Sequence, residues 1–489
     1  MVRNTVVGIR AMTRTTRQHA TEIFLRGGLI ALAVVLLGGL LSVLHYFPGL
    51  SGTLAGSGLD FAAVRPIHTI FASAWIFLAA ITVIYRYLQD EAPPATTGEQ
   101  WRLRAQVVLW GLAGVGILAT LLGGITSGRE YIGFHPLFSV VIMTGWLLFA
   151  WTFFSLTGRG FFQKPVYVTM WGVGILLFIY TFAEQHAWLL PGVSDDPIVD
   201  MRIQWKATGT LVGSFNLLVY GCLYYIASKM IGDDRYAHSK LAYALFGIGL
   251  LNSFVNFGHH TYHLPQSAWI NWISFLVSMS EIVILARVIW DIAKAVKRRT
   301  TQQAAASFFL AAARWWIFAM LFTAILLSIP PINSILHGTY AVAGHAMGTE
   351  IGIDTMILLA AAAWILAERT RETPALRRVG IGFNISAATL VLWLTIAGCA
   401  VGFTRYQRMP VPDWVATANP TIFASTGIAT AVFLAAITAL MARAIWSRPT
   451  RAATKEIPVI EVQRIVLAQG RSTPTTKKKT PPQEPAATR

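Results

Sequence analysis

The chain has 489 residues, of which 55% are hydrophobic and only 12% charged, with a mean hydropathy of +0.56; a soluble globular domain carries about 25% charged residues. That balance excludes a soluble enzyme and points to a polytopic membrane protein. The formal net charge of +17 does not signal nucleic acid, because the basic residues fall in short loops and tails between apolar segments, where a positive-inside bias places them.

Residues 1–22 carry Arg3, Arg10, Arg14 and Arg17 with no acid before Glu22, and read as a basic cytoplasmic arm. Residues 23–447 hold twelve apolar segments, each near the ~20 residues needed to cross a bilayer. They lie at about 26–48, 66–88, 105–125, 136–157, 166–189, 206–228, 239–259, 269–293, 307–329, 339–367, 379–402 and 419–445. The first is long and lacks a small-residue cleavage site, so it reads as a retained helix rather than a signal peptide. The tail 448–489 is rich in Pro, Thr, Lys and Arg, poor in aromatics, and reads as disordered and cytoplasmic. The expected fold class is therefore all-α, a polytopic integral membrane protein of twelve transmembrane helices. Cys222 and Cys399 lie inside apolar segments, and no CxxCH haem-attachment motif is present.

Alternate loops differ in basic content. One set carries Arg102, Arg104, Arg159, Lys164, Lys229, Arg235, Lys294, Lys297, Arg298, Arg299, Arg369, Arg371, Arg377 and Arg378. The other is sparse, with Arg65, Arg129, Arg202, Lys206, Arg405 and Arg408. Both termini join the rich set, which an even number of spans permits, and the reading is a multi-pass protein of the inner (plasma) membrane with both ends cytoplasmic. This topology sends His45, His68, His135, His186, His259, His260, His263, His337 and His345 to the outer side, leaving only His19 and His238 inside. An ionisable residue near a membrane span is a functional hypothesis by default. Helices entering from opposite directions thus bring imidazole to one layer, as a buried metal or haem site requires; the plain alternative is that histidines favour interfaces and loops.

Haem iron accepts imidazole or thioether ligands, and copper or non-haem iron accepts imidazole and carboxylate. The adjacent pair His259-His260 closes span 7 and can grip one metal if the last turn loosens. In span 10, His345 and Met347 stand two apart. Two α-helical residues so spaced point about 200° apart, toward opposite flanks. Glu281 lies about 18 Å along span 8 from its entry near Trp269, where a carboxyl must be paired, protonated or metal-bound. It is otherwise a helix-packing acid with a hydrogen-bonded neighbour.

Several segments resemble the catalytic subunit I of the haem-copper oxidase superfamily, and most of all the nitric oxide reductase large subunit. The resemblance runs from about Arg65 to Thr355. Arg65-Pro66-Ile67-His68-Thr69 resembles the second-helix motif whose histidine binds the low-spin haem. Gly128-Arg129-Glu130-Tyr131 resembles a nitric oxide reductase loop, which implies that Arg129 meets haem propionates and Glu130 helps bind calcium. Gly258-His259-His260 resembles the pair that holds the non-haem metal. His337-Gly338-Thr339 through Gly344-His345 resembles the tenth-helix motif, which implies that His345 binds the high-spin haem and places His337 beside the cofactors. Glu281 stands 21 positions after His260, where nitric oxide reductases carry a glutamate beside non-haem iron and oxygen reductases generally lack it.

Two departures stand out. In Gln204-Trp205-Lys206-Ala207-Thr208-Gly209-Thr210-Leu211-Val212-Gly213 the family's metal-binding histidine is replaced by Thr208 or Gly209, and the glutamate four residues later by Val212 or Gly213. Met347 replaces the last histidine of the tenth-helix motif, so His68 and Met347 are the expected low-spin ligands; otherwise Met347 only packs. The ligand set left for the non-haem metal is His259, His260 and Glu281. Glu350 and Asp354, four apart in span 10, are candidates to replace a missing acid or carry protons, or Glu350 is a buried partner of Lys206 or another basic group. Glu184 and His186 are candidate proton-entry groups, and Asp195, Asp196 and Asp200 a docking surface or cation site; plain interface and loop roles suit all five. Tyr220 and Tyr224 lie deep along span 6 for a histidine–tyrosine crosslink.

The resemblance implies a membrane respiratory reductase that converts two NO to N2O. It implies low-spin and high-spin haem b, a non-haem iron or copper, and a calcium ion. It also implies electrons from a cytochrome c-type subunit or soluble cytochrome c, protons delivered by carboxylates, a small gaseous substrate and membrane lipid as surroundings; Glu281 and Glu350 are the candidate catalytic carboxyls in this chain, and the placement of charge gives no nucleic-acid partner. Two alternatives stand beside it: an oxygen reductase like cytochrome c oxidase subunit I, and a degenerate, non-catalytic haem protein that relays electrons.

Overall fold

The structure, a computed structural model, describes residues 2–47, 49–92, 95–158, 160, 163–299, 304–367 and 374–446. The tail 448–489 and the expected inner-loop residues Arg159, Arg369 and Arg371 lie outside the described residues, as do the side chains of Arg3, Arg10, Arg14, Arg298 and Arg299. Among the described residues all regular structure is helical, and twelve helices are long and apolar enough to cross a membrane. Hydrocarbon offers no partner to a backbone N–H or C=O, so helices that satisfy both internally are the structure such segments adopt.

The spanning helices are α1 (Val2–Leu44), α2 (Phe61–Glu91), α3 (Thr97–Leu122), α4 (Pro136–Thr157), α5 (Val166–Glu184), α6 (Pro197–Ile231), α7 (Lys240–Val255), α8 (Ala268–Arg299), α9 (Ala304–Ser328), α10 (Tyr340–Leu366), α11 (Pro374–Tyr406) and α12 (Asp413–Trp446). Local chemistry marks many of their ends. Asp60 accepts from the Ala63 amide at 2.8 Å to open α2, and Ser239 accepts from Ala242 at 3.1 Å to open α7. Asp196 followed by Pro197 opens α6, and Gly232 at φ 71° closes it. These are the expected uses of N-capping oxygens, first-turn proline and a left-handed C-terminal glycine.

Chain neighbours pack as antiparallel pairs, and α12 returns against α1. Three spans that are not neighbours in sequence, α2, α6 and α10, also pack on one another, and they are among the most buried. These inner spans carry His68, Gly209 and His345. Helix α10 is not uniform: Tyr340–Thr349 is α-helical, Glu350–Asp354 is a π-turn, and Thr355–Leu366 resumes the α-helix. Single π-turns inside helices concentrate at functional sites.

Helix α1 runs unbroken from Val2, through the residues of the expected basic arm, and its membrane-spanning part begins at Thr16. Arg17 is buried rather than solvated, at 3% exposure. Its guanidinium meets Glu99 through Nε at 2.7 Å and Nη2 at 2.9 Å, and Nη1 donates to the carbonyls of Leu88 and Ala92 where α2 ends. One side chain thereby ties α1, α2 and α3 together.

Removing one member of a buried ion pair costs about 3–5 kcal/mol, whereas replacing both by apolar residues is often neutral. Arg17→Ala and Glu99→Ala are each expected to lower the unfolding temperature of the purified protein sharply, and the double variant Arg17→Met/Glu99→Leu to recover most of the loss. Single variants that melt with wild type would show that the pair does not brace these helices.

Candidate functional site

Helices α2, α7, α8 and α10 deliver the candidate side chains. His68 lies two turns into α2, and its ring is fixed by α1. Nδ1 meets the carbonyl oxygen of Val35 at 2.9 Å; a carbonyl only accepts, so Nδ1 carries the proton and Nε2 keeps its lone pair. Gly38 and Gly39 let α1 come this close. A Cβ on Gly39 would stand 2.8 Å from His68 Nδ1, and one on Gly38 would stand 3.0 Å from the His68 amide nitrogen.

Helix α7 ends at Val255, and the next turn, Asn256–His259, winds as a 3-10 helix. The expected loosening is thus a change of winding, which sets the rings of His259 and His260 with centroids 4.1 Å apart and planes tilted by 48°. His260 stacks on Trp205 of α6 at 5.8 Å with planes 8° apart. Its imidazole is pushed down to about 4, first by burial and then by the His337 and His345 rings. His337 is also pushed down, by burial and then by His263, whose ring centroid is 5.1 Å away. The end of α7 and the start of α10 therefore converge, as the layer of histidines predicts, and His260 is neutral at pH 7, the form that binds metal.

His345 is the counterpart on α10: its Nδ1 is enclosed by protein and has no hydrogen-bond partner. Met347 stands two residues on within the α-helical part, so the two side chains leave opposite flanks. On the inner helices α2 and α10, His68, His345, Met347 and Glu350 are half-buried rather than buried; each keeps surface that protein atoms do not cover. These side chains suit axial haem ligands: a lone pair on His68 Nε2, an imidazole on α10 whose Nδ1 has no protein partner, and a thioether on the opposite flank of α10.

Glu281 is buried at 6% exposure. Its Oε2 accepts from Asn252 Nδ2 of α7 at 2.6 Å, and the Tyr220 hydroxyl of α6 lies within reach. Ser278 donates to Asn252 Oδ1 at 2.6 Å and sits 3.2 Å from His259 Nδ1. The structure thus links Glu281 to His259 through two intervening side chains. Among the described residues no three of His, Cys, Asp or Glu gather closely enough to hold a metal.

The space beside α6 is filled. A Cβ on Gly209 would collide with Asn256 Oδ1, and one on Gly213 with Ser253 Oγ. Asn256 donates from Nδ2 to the Gly209 carbonyl at 3.0 Å, while its Oδ1 is buried without a partner. Gly209 and Gly213 thus serve as the seam on which α7 rests.

Other candidates have protein partners of their own. Arg129 pairs with Asp200 at 2.6 Å, donates to Gln204 at 3.0 Å and lies over the Trp188 ring. Glu130 pairs with Arg65 at 3.0 Å. Next in the chain, Tyr131 takes φ 63°, a left-handed conformation that disfavours bulky side chains, and its hydroxyl is pushed above the ordinary range, first by Glu350 and then by burial. Lys206 is not the partner of Glu350: it pairs with Glu184 at 2.7 Å and donates to Tyr180 at 2.6 Å. His186 has both ring nitrogens engaged, by the Phe182 carbonyl at 2.7 Å and Ser139 at 2.6 Å. His135 caps α4, and His45 is held by Ser51 and the Leu59 carbonyl. Asp196 caps α6 and Asp195 accepts from the Gly192 amide. The plain reading fits these three histidines and two aspartates. The residues that motif reading missed are Asn252, Asn256, Ser274 and Ser278. Their signal was spacing: 252, 256 and 259 on span 7, and 274, 278 and 281 on span 8, each a polar stripe at i, i+4, i+7 along an otherwise apolar helix.

Residues 20–441 match the family model described as Cytochrome C and Quinol oxidase polypeptide I. A curated relative, a nitric oxide reductase chain of Stutzerimonas stutzeri, is 22% identical over 387 residues, spanning 72% of this chain and 78% of the relative. A haem-copper terminal oxidase dimer solved by cryo-EM superposes with a TM-score of 0.66 at 16% identity, covering 89% of this chain and 86% of that chain; this is a likeness of fold.

Overpacking a close contact costs about 1–3 kcal/mol. Gly209→Ala and Gly213→Ala are expected to lower the unfolding temperature, and unchanged melting would mean that α6 and α7 do not meet there. The unfolded chain protonates His260 near the ordinary value of about 6.5, the folded chain only near 4. Between those values the unfolded state binds more protons, so stability falls as pH drops from about 6.5 to about 4. His260→Gln should remove that part of the slope in a pH series of melting temperatures; identical slopes would contradict the burial of a neutral ring.

Proposed function

This chain belongs to the cytochrome c and quinol oxidase polypeptide I family, the haem-copper oxidase subunit I proteins, and from that premise we propose that it reduces nitric oxide to nitrous oxide. At the level of the superfamily it is a membrane respiratory oxidoreductase. Members bind haems with a copper or non-haem iron centre and take electrons from cytochrome c or quinol. The finer reading rests on one observation: a carboxyl, Glu281, lies buried inside α8 and is tied through Asn252 and Ser278 to the first of two adjacent histidines. The distant likeness to a nitric oxide reductase chain supports it.

On this reading His345 holds a high-spin haem b, and His68 with Met347 holds a low-spin haem b. His259 and His260 hold a non-haem metal, iron or copper. Bound there, these groups supply electrons and two places for NO. The protein's part is to hold both NO molecules in one enclosure, where proximity lowers the barrier to N–N bond formation, and to bring two protons per N2O and H2O formed. On this reading Glu281 and Glu350 are the carboxyls that would hold them. The electron donor is a cytochrome c-type protein, and the histidine-bearing end of the bundle faces outward with both termini cytoplasmic. Arg129 and Glu130 brace the loop before α4; the roles in binding haem propionates and calcium would require them to exchange their present partners.

Anaerobic assay of the purified protein with a chemical reductant should show NO loss matched by N2O. Glu281→Ala is expected to abolish it while leaving the haem spectra unchanged, and retained turnover would remove Glu281 from the mechanism. Oxygen consumption without NO turnover would replace this reading with an oxygen reductase, and neither activity would leave an electron relay. Methionine ligation raises haem potential relative to bis-histidine, so Met347→His should lower that of the low-spin haem. An unchanged potential would mean that Met347 is not a ligand.

A further inference from the structure

The hydrogen-bond chain between Glu281 and His259 has a fixed polarity. Ser274 gives its one hydroxyl proton to the Asn256 carbonyl at 3.0 Å, and Ser278 gives its own to Asn252 Oδ1 at 2.6 Å. Each hydroxyl has a single proton to donate, so both can only accept from the ring nitrogen they share, His259 Nδ1, 3.2 Å from each. Nδ1 therefore carries the hydrogen, and Nε2 is left as the lone-pair atom. Ser274 also accepts from the His259 backbone amide at 3.0 Å, which holds the 3-10 turn against α8.

The orientation of Asn252 decides this arrangement. Its Nδ2 faces Glu281 Oε2 at 2.6 Å, and its Oδ1 faces Ser278. With Glu281 ionised, turning the amide over would set oxygen against the carboxylate and an N–H against the serine proton. Glu281 therefore selects the face that Asn252 shows to Ser278, and Ser278 in turn is left with a lone pair for His259. The carboxyl meets His259 only through Asn252 and Ser278, and among the described residues it does not gather with the two histidines closely enough to share a metal with them.

We propose that Asn252, Ser274 and Ser278 are positioning residues that hold His259 in the tautomer whose Nε2 binds the non-haem metal, with Glu281 acting through Asn252 as the anchor of the chain rather than as a metal ligand. The inference rests on the reading that His259 and His260 hold a metal. Outer partners that orient a ligating histidine typically contribute about 10–100-fold to metal affinity.

The test is titration of Co(II), followed by its visible absorption, into the full-length protein after chelator treatment, with circular dichroism to establish folding of each variant. Ser274→Ala/Ser278→Ala, Asn252→Leu and Glu281→Leu are expected to weaken binding about 10–100-fold. Glu281→Gln retains an oxygen that can accept from Asn252 and should bind Co(II) as wild type does, whatever it does to turnover. Binding lost equally in Glu281→Gln and Glu281→Leu would make the carboxylate a ligand and overturn the inference. Wild-type affinity in the folded serine and asparagine variants would overturn it as well. A wild-type protein that takes up no Co(II) would remove the metal site itself, and with it both the proposed function and this inference.

Discussion

An imidazole held among apolar helices needs a partner for the nitrogen that carries its hydrogen, and the choice of that partner decides what the other nitrogen can do. Where the protein satisfies one side only, the other nitrogen keeps its lone pair: His68 gives Nδ1–H to the Val35 carbonyl, and His259 gives its own to two serines. Where it satisfies both, the ring is structural, as in His186 and His45. The same rule draws attention to His345, whose enclosed Nδ1 has no partner. Sorting the histidines by this test leaves a small set on α2, the end of α7 and the start of α10, the groups that the proposed centre needs.

Composition and hydropathy period carried the fold. All twelve spans were visible, because a run of ~20 apolar residues has few other fates. Ends were less legible. Span 1 begins earlier than its apolar run, since α1 continues through Arg17, and the arginine is buried only because Glu99, 82 residues away, comes to meet it. Hydropathy counts Arg17 as solvated; only tertiary contact says otherwise. The convergence of His260, His337 and His345 could be read from loop parity alone, because odd and even spans enter from opposite faces. The partners of Glu184 and Lys206 could not, as they depend on which helix faces turn toward each other.

Small polar residues were the larger omission. Ser274, Ser278 and Asn252 match no motif, and a serine in a span is usually satisfied by its own helix, as Ser253 is by the Gly249 carbonyl. Their regular spacing beside Glu281 was the available sign. The π-turn at Glu350–Asp354 left no comparable trace. Gly352 lies inside it, and a Cβ there would strike Trp316, so the widened turn and the tryptophan fit together in a way that only the fold reveals. The lost histidine of α6 takes on a different meaning too. Thr208 or Gly209 and Val212 or Gly213 stand in the sequence where the resemblance expects a histidine and a glutamate, and in the structure the two glycines are the surface that seats Asn256 and Ser253.

The proposed function depends on His68 and His345, on separate helices, each anchoring its own porphyrin. Haem content per polypeptide, measured as the pyridine haemochrome in wild type, His68→Ala and His345→Ala, tests this most directly. Two haems in the wild type and one in each variant is the predicted result; equal haem content in all three, or none in the wild type, would contradict it.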